Sequence, residues 1–298
     1  MKSEEIKVNL IEHNTKGRFV MSSNQNKYKM VVMDMDYTLL NKEKEVSIRN
    51  KEALKKAMEK GVHLVVATGR IYVSAKFYAR LLNISTPIIA SNGAIIKEGY
   101  TNKTIFKSVL LDEVALEMIR LCRKSGLFCH LFSDNTVFTE KIINISSRYN
   151  EWNKSLEDED KINIKVVDRL EDAVKKAGNR LFKAVVVDNN EDKIRDIRNG
   201  MLSTGLVSVS QSLKDNLEVM NKGINKGNAI RILCELYGIS KEEVIAIGDN
   251  ENDISMIEYA GMGIAMGNAS ESLKERADYI TGDYLDDGVA QAIEKFIL

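Results

Sequence analysis

Short β-rich runs alternate with amphipathic helical stretches at both ends of this chain, and that rhythm constrains its fold more than any other feature. From residue 29 the order is a strand at 29–33, a helix at about 48–60, a strand within HLVVATGR, a helix at 71–82 and a third strand within PIIASNGA. Ser47 suits the N-cap of the first helix and Gly61 its stop. The single proline, Pro87, opens the third strand, where a missing N–H does little harm. Strands separated by helices of this length form parallel βαβ units. After Gly223 the rhythm returns, with helices at 226–237, 253–260, 270–277 and 288–297 and strands at 244–247, 262–265 and 279–280.

Between these halves the spacing changes. A strand near 104 and a helix at 111–124 are followed by close strands at 127–132 and 136–139, and the stretch ends in paired strands near 206–209 and 217–220. Close spacing implies antiparallel pairing, hence a separate α+β module inserted in an α/β core. The predicted division is a core at 29–104 and 216–298, an insert at 105–215, and a polar extension at 1–28 outside the fold. A chain of 298 residues with 44% hydrophobic content can fill both cores.

Charge and cysteine content narrow the partners. Lys plus Arg and Asp plus Glu are both 43, so no basic field marks a nucleic-acid or membrane partner, and any phosphate binding has to be local. No apolar run reaches the roughly 18 residues of a membrane span. The first 28 residues lack the apolar segment of a secretory signal. Cys122, Cys129 and Cys234 lack metal or redox spacing and read as buried reduced thiols, which fits a cytoplasmic protein, monomeric or weakly dimeric.

Within VVMDMDYTLL, Asp34 and Asp36 end an apolar strand. A solvated turn, a site for a hard cation, and a nucleophile with a partner acid are all compatible with two carboxylates there. Strand alternation sends residues i and i+2 the same way, so both could face one reaction centre if the extended geometry persists. In an open parallel sheet ligands bind at the carboxyl ends of the strands. Here DMDYT comes after the first strand, Thr68-Gly69-Arg70 after the second, and GDNENDISM after the strand at 244, with Lys226 opening a helix just after a glycine turn.

In that order the four elements resemble the haloacid dehalogenase superfamily: DMDYT for the DxDx[TV] element, ATGR for the hydroxyl element, Lys226 for the lysine element, and GDNEND with Asp249 and Asp253 for the acidic element. SNGA, AMGNA and an insert after the third strand are similar to the Cof-type phosphatases with the large α/β (type IIB) cap. The resemblance runs from about residue 29 to the end. It implies a Rossmann-like parallel-sheet core with an inserted α+β cap, and a Mg²⁺-dependent phosphatase acting on a small phosphate monoester, a sugar phosphate first and pyridoxal phosphate or a flavin nucleotide next.

It also implies roles. Asp34 would be the nucleophile, forming an aspartyl-phosphate, and Asp36 the general acid and base. Asp34, the main-chain carbonyl of Asp36 and Asp249 would hold Mg²⁺. Thr68, Gly69, Lys226 and Asn252 would bind the phosphoryl group, with Asp253 in support. Tyr37 departs from the glycine common at that place in the family and bears on substrate breadth. Asn92 reads first as a turn residue, and His63 and His130 as structural. A phosphomutase, distinguished by response to a bisphosphate activator, and a non-catalytic phosphate-binding regulator, distinguished by an aryl phosphate assay with and without Mg²⁺, are the rival readings.

Overall fold

The computed structural model describes residues 26–178, 180–212 and 215–298. The predicted extension at 1–28 lies outside the described residues except for its last three. Of these, Tyr28 is buried and packs edge-on against Phe296, with ring centroids 6.5 Å apart, so residue 28 belongs to the core although the expected limit was 29.

The first half of the core comprises β1 (Met30–Met33), α1 (Ile48–Glu59), β2 (His63–Val66), α2 (Tyr72–Leu81) and β3 (Ile88–Ala90). The insert carries α3 (Asp112–Lys124), β6 (Cys129–Phe132), β7 (Thr136–Thr139), α4 (Asn144–Trp152), β8 (Asn163–Val166), α5 (Leu170–Ala177), β9 (Lys183–Val187), α6 (Glu191–Ser203), β10 (Val207–Ser210) and β11 (Asn216–Asn221), and before it stand β4 (Ile95–Lys97) and β5 (Thr104–Lys107). The second half of the core is α7 (Lys226–Tyr237), β12 (Val244–Gly248), α8 (Ile254–Tyr259), β13 (Met262–Ala265), α9 (Glu271–Lys274), β14 (Tyr279–Ile280) and α10 (Gly288–Phe296).

The core sheet is parallel throughout, in the order β14-β13-β12-β1-β2. All four residues of β1 are buried, as a strand covered by helices on both faces has to be. Ser47 caps α1 by accepting the Asn50 N–H, and the buried Asn50 carboxamide accepts the Ala290 N–H at 2.8 Å, joining α1 to α10. Leu54, on the apolar face of α1, is fully covered, a burial worth roughly 1.5–3 kcal/mol.

Three features depart from the predicted division. Among the described residues β3 pairs with the chain of β2 only at an isolated bridge just beyond it, Ala67↔Ile89, and otherwise with β4, a strand of three residues too short to show in the sequence pattern. β5 pairs with β4, so residues 104–107 belong to this small antiparallel sheet rather than to the insert. Lastly, β11 lies within the six-stranded sheet β10-β11-β9-β6-β7-β8, beyond the expected limit at 215. Alternation explains its placement: Leu217 and Val219 enter the insert's own core, while Met220 packs with the other core and Glu218 faces the same way. The close strands β6 and β7 are antiparallel as expected, whereas β8 joins β7 in parallel.

Aromatic contacts seat the insert on the core. Trp152 of α4 stacks on Tyr78 of α2, with centroids 5.9 Å apart and planes 4° from parallel, and Phe77 meets the same indole edge-on at 5.4 Å. Lys97 and Asp134 form an ion pair at 2.6 Å across the same boundary.

Candidate active site

The carboxyl ends of β1, β2 and β12 converge under the insert. Asp34 follows β1 directly, and its N–H still donates to Ile247 O of β12 at 2.9 Å, so the nucleophile candidate is fixed to the sheet. Lys226 is the first residue of α7 and fully buried. Its Nζ donates to Asp34 Oδ1 at 2.5 Å and to Asp253 Oδ1 at 2.6 Å. The other oxygen of Asp253, Oδ2, accepts the N–H groups of Asp249 and Asn250 at 2.9 and 3.1 Å. Asp253 approaches so closely because residue 248 is glycine: a Cβ there would lie 2.5 Å from Asp253 Cβ. Asp249, directly after β12, accepts from Thr38 Oγ1 at 2.9 Å.

Carboxylate oxygens of Asp34, Asp249 and Asp253 lie within 4.8 Å of one another. Burial pushes the Asp34 carboxyl up to about 7, with the neighbouring Asp253 and Asp36 charges adding to the rise and Lys226 opposing it. Asp249 is raised for the same first reason, then by Asp34 and Asp253. Burial alone would lower Lys226, but Asp253 and Asp34 outweigh it and keep the ammonium charged. Two of these buried carboxylates share one ammonium with the third beside them, and that donor set fits a hard divalent cation. Asp253 has both oxygens engaged, which leaves Asp34 and Asp249 as the side chains with capacity to ligate.

Asp36 lines the same cavity as Asp34, but reaches it through a turn rather than a continued strand. The strand ends at Met33, Tyr37 takes a left-handed conformation with φ 60°, and the chain closes back through a bridge between Asp36 and Leu40. The Asp36 carboxylate takes its hydrogen bonds from outside the acidic cluster, from Arg70 Nε and Nη2 at 2.7 Å each and Lys44 Nζ at 2.8 Å. Burial raises its pKa, but the Arg70 hydrogen bonds and charge, with Lys44, outweigh that and hold it well below the usual carboxylate range. Arg70 stands within ATGR, but nothing local marks it as the partner of Asp36, and Lys44 carries no sequence signal at all.

Thr68 is buried, its N–H donating to Ile89 O and its hydroxyl accepting the Arg70 N–H at 3.1 Å. Asn92 is a turn residue with φ 55°, and is also buried and turned inward: its carboxamide donates to Glu218 Oε2 at 2.7 Å and accepts from Asn252 Nδ2 at 3.3 Å. Above these groups is a cavity of about 430 Å³, lined below by Asp34, Asp36, Thr68 and Asp249 and above by Tyr149 and Trp152 of α4. Tyr37 lines its edge, with its ring 5.6 Å edge-on from Tyr284 and the Lys44 ammonium 4.9 Å from the ring centre. His63 lies against the Tyr237 ring at 4.6 Å and His130 is buried beside Ser146, both apart from the cavity. Cys122, Cys129 and Cys234 are free and buried.

Residues 31–293 match the family of haloacid dehalogenase-like hydrolases. The chain belongs to that family. As a haloacid dehalogenase-like hydrolase it is 32% identical over 271 residues to a 5-amino-6-(5-phospho-D-ribitylamino)uracil phosphatase of Bacillus subtilis, covering 91% of this chain and 96% of the relative. It is 28% identical over 271 residues to the pyridoxal phosphate phosphatase of Escherichia coli, covering 91% and 99%. Among solved structures it resembles a sugar phosphatase of haloacid dehalogenase subclass IIB, with a TM-score of 0.77 at 25% identity over 90% of this chain and 98% of the other. The protein is thus a phosphoric monoester hydrolase with an α/β core and a cap. No helix among the described residues is long and apolar enough to cross a membrane.

Proposed function

We propose that this hydrolase is a Mg²⁺-dependent phosphatase that cleaves a small phosphate monoester through an aspartyl-phosphate on Asp34. The reading rests on one observation: Asp34, which lines the cavity with Asp249, shares the buried Lys226 ammonium with Asp253 beneath it. In the first step an Asp34 oxygen attacks phosphorus and the bond to the leaving oxygen breaks. Lys226, the Thr68 hydroxyl, the Gly69 main chain and Asn252 hold the non-bridging oxygens, and Asp253 orients Lys226. Asp36 protonates the leaving oxygen, then takes a proton from the water that hydrolyses the acyl phosphate. Its two cationic partners keep it ionised for the second task; for the first it has to take up a proton from solvent, which it can do once substrate draws one of those cations away.

Asp34, Asp249 and the main-chain carbonyl of Asp36 would hold Mg²⁺, which when bound offsets the repulsion between the Asp34 carboxylate and a phosphate dianion. We assign the cap to residues 112–221, following sheet membership, and the core to 26–107 and 226–298. Buried free thiols favour a reducing, cytoplasmic setting, and we read the chain as a monomer or weak dimer.

A sugar phosphate remains the first substrate class, supported by the likeness to the subclass IIB sugar phosphatase. A phosphate ester with a heteroaromatic leaving group is the second reading. Tyr149, Trp152 and Tyr37 around the cavity favour it, as do relatives named for a ribitylaminouracil phosphate and for pyridoxal phosphate. A panel of phosphate esters assayed with and without Mg²⁺, using wild type and Asp34→Asn, tests both. Turnover by Asp34→Asn, or turnover indifferent to Mg²⁺, would overturn the mechanism, and the preferred ester separates the two substrate classes.

A further inference from the structure

Two charged side chains are buried on the inner face of the cap sheet without a part in the chemistry above. Lys183 on β9 is 2% exposed and Glu218 on β11 4%. The strands are antiparallel neighbours with Glu218 opposite Val185, so both charges project from the same face. Lys183 Nζ lies 2.9 Å from Glu218 Oε2. Each then reaches a loop of the core: Lys183 Nζ donates to Gly69 O at 2.5 Å, and Glu218 Oε2 accepts from Asn92 Nδ2 at 2.7 Å. Asn92 is joined in turn to Asn252 through its side chain and to Thr68 O through its N–H at 3.0 Å.

A buried ion pair is a poor stabiliser, since desolving two charges cancels much of their attraction and apolar residues would serve stability as well. What this pair adds is direction. Its hydrogen bonds end on Gly69 and Asn92, in the two core loops that border the phosphoryl site, and residue 69 leaves room for them: a Cβ there would be 3.1 Å from Asn92 Oδ1 and 3.3 Å from Glu218 Oε2.

We propose that Lys183 and Glu218 are positioning residues that set the Thr68-Gly69 and Asn92-Asn252 groups on the phosphoryl oxygens when the cap is seated. Seating the cap thereby completes the core's own binding loops, over and above covering the substrate. The kinetic consequence builds on the phosphatase reading, whereas the structural half is independent of turnover.

The test uses the full chain and p-nitrophenyl phosphate, whose leaving group makes little demand on the cap. Glu218→Gln and Lys183→Met should each lower kcat about 10 to 100-fold, the scale of a small misplacement of catalytic groups, with KM within about threefold of wild type. The double variant, which leaves neither charge unpaired, should be no worse than the worse single. Amide hydrogen exchange should quicken at residues 68–70 and 91–93 in both single variants. Should Lys183→Met not fold, Lys183→Arg, which keeps the charge but alters the reach to Gly69 O, carries the same two measurements. Lower thermal stability with unchanged kcat and unchanged exchange in those loops would overturn the proposal. Because exchange needs no substrate, a chain without phosphatase activity would still show whether the pair orders the two loops.

Discussion

Arg70 grips Asp36 through two parallel hydrogen bonds of 2.7 Å, Nε to Oδ2 and Nη2 to Oδ1, while its Nη1 donates to Ser74 Oγ at 3.0 Å and its guanidinium lies 4.8 Å from the centre of the Tyr78 ring. The same Tyr78 ring stacks on Trp152 of the cap. The orientation of the acid–base candidate therefore depends on a fork that only arginine supplies, held by the surface on which the cap rests.

Arg70→Lys should keep a charge near Asp36 but lose the fork. Hydrolysis is expected to fall about tenfold or more, with Arg70→Met lower still, on the scale of general acid–base contributions. Side-chain exposure of 33% at Asp36 limits the stability cost of Arg70→Met to roughly 1–2 kcal/mol, measurable by chemical denaturation. Equal rates for Arg70→Lys and wild type would show that orientation by the fork is unimportant.

Asp36→Asn separates the two proton transfers. A p-nitrophenolate leaves unaided, so Asp34 should still be phosphorylated from the aryl ester, while water attack slows by about 10² to 10⁴-fold. Rapid quenching and mass spectrometry should find near-stoichiometric phosphate on Asp34, labile to hydroxylamine. An absent burst with equal slowing of aryl and sugar esters would assign Asp36 to holding the site together.

Gly248→Ala tests the close approach that brings Asp253 to Lys226. The added Cβ would meet Asp253 Cβ at 2.5 Å and its Oδ2 at 2.7 Å, so the carboxylate has to move. A destabilisation of about 1–3 kcal/mol is expected from the overpacking, with loss of at least about tenfold in rate as Lys226 loses its orienting partner. Denaturant midpoints and steady-state rates check the two effects separately.

His130 predicts an acid-labile cap. Burial lowers its pKa to about 4, with an Ile143 hydrogen bond opposing, while the unfolded side chain titrates near 6.5. Between those values the unfolded state binds the extra proton, so stability falls as pH drops from about 6.5 towards 4, by up to roughly 3 kcal/mol. His130→Gln should flatten that slope in urea titrations at pH 7, 6 and 5. An unchanged slope would place the acid sensitivity elsewhere.

The parallel core, the inserted second unit and the identity of the acids are legible in the residue order alone, because strand and helix periodicities are local properties and the four short elements sit directly after strand ends or at a helix start. Asp34, Lys226, Asp249 and Asp253 come together as their places in that order imply. Other features arise from long-range packing. Whether Asp36 continued the strand depended on the turn at Tyr37, and its partners Arg70 and Lys44 approach from 34 and 8 residues away. The membership of β11 followed from which core had room for Leu217 and Val219. Lys183 and Glu218 look like ordinary charges in β-rich segments, and nothing local in the sequence marks them as buried; the sheet pairing of β9 with β11 and the seating of the cap on Gly69 and Asn92 give them partners 114 and 126 residues distant. Periodicity carries information over a few residues, whereas the hydrogen bonds of a buried charge are set by whatever chain the fold brings opposite it.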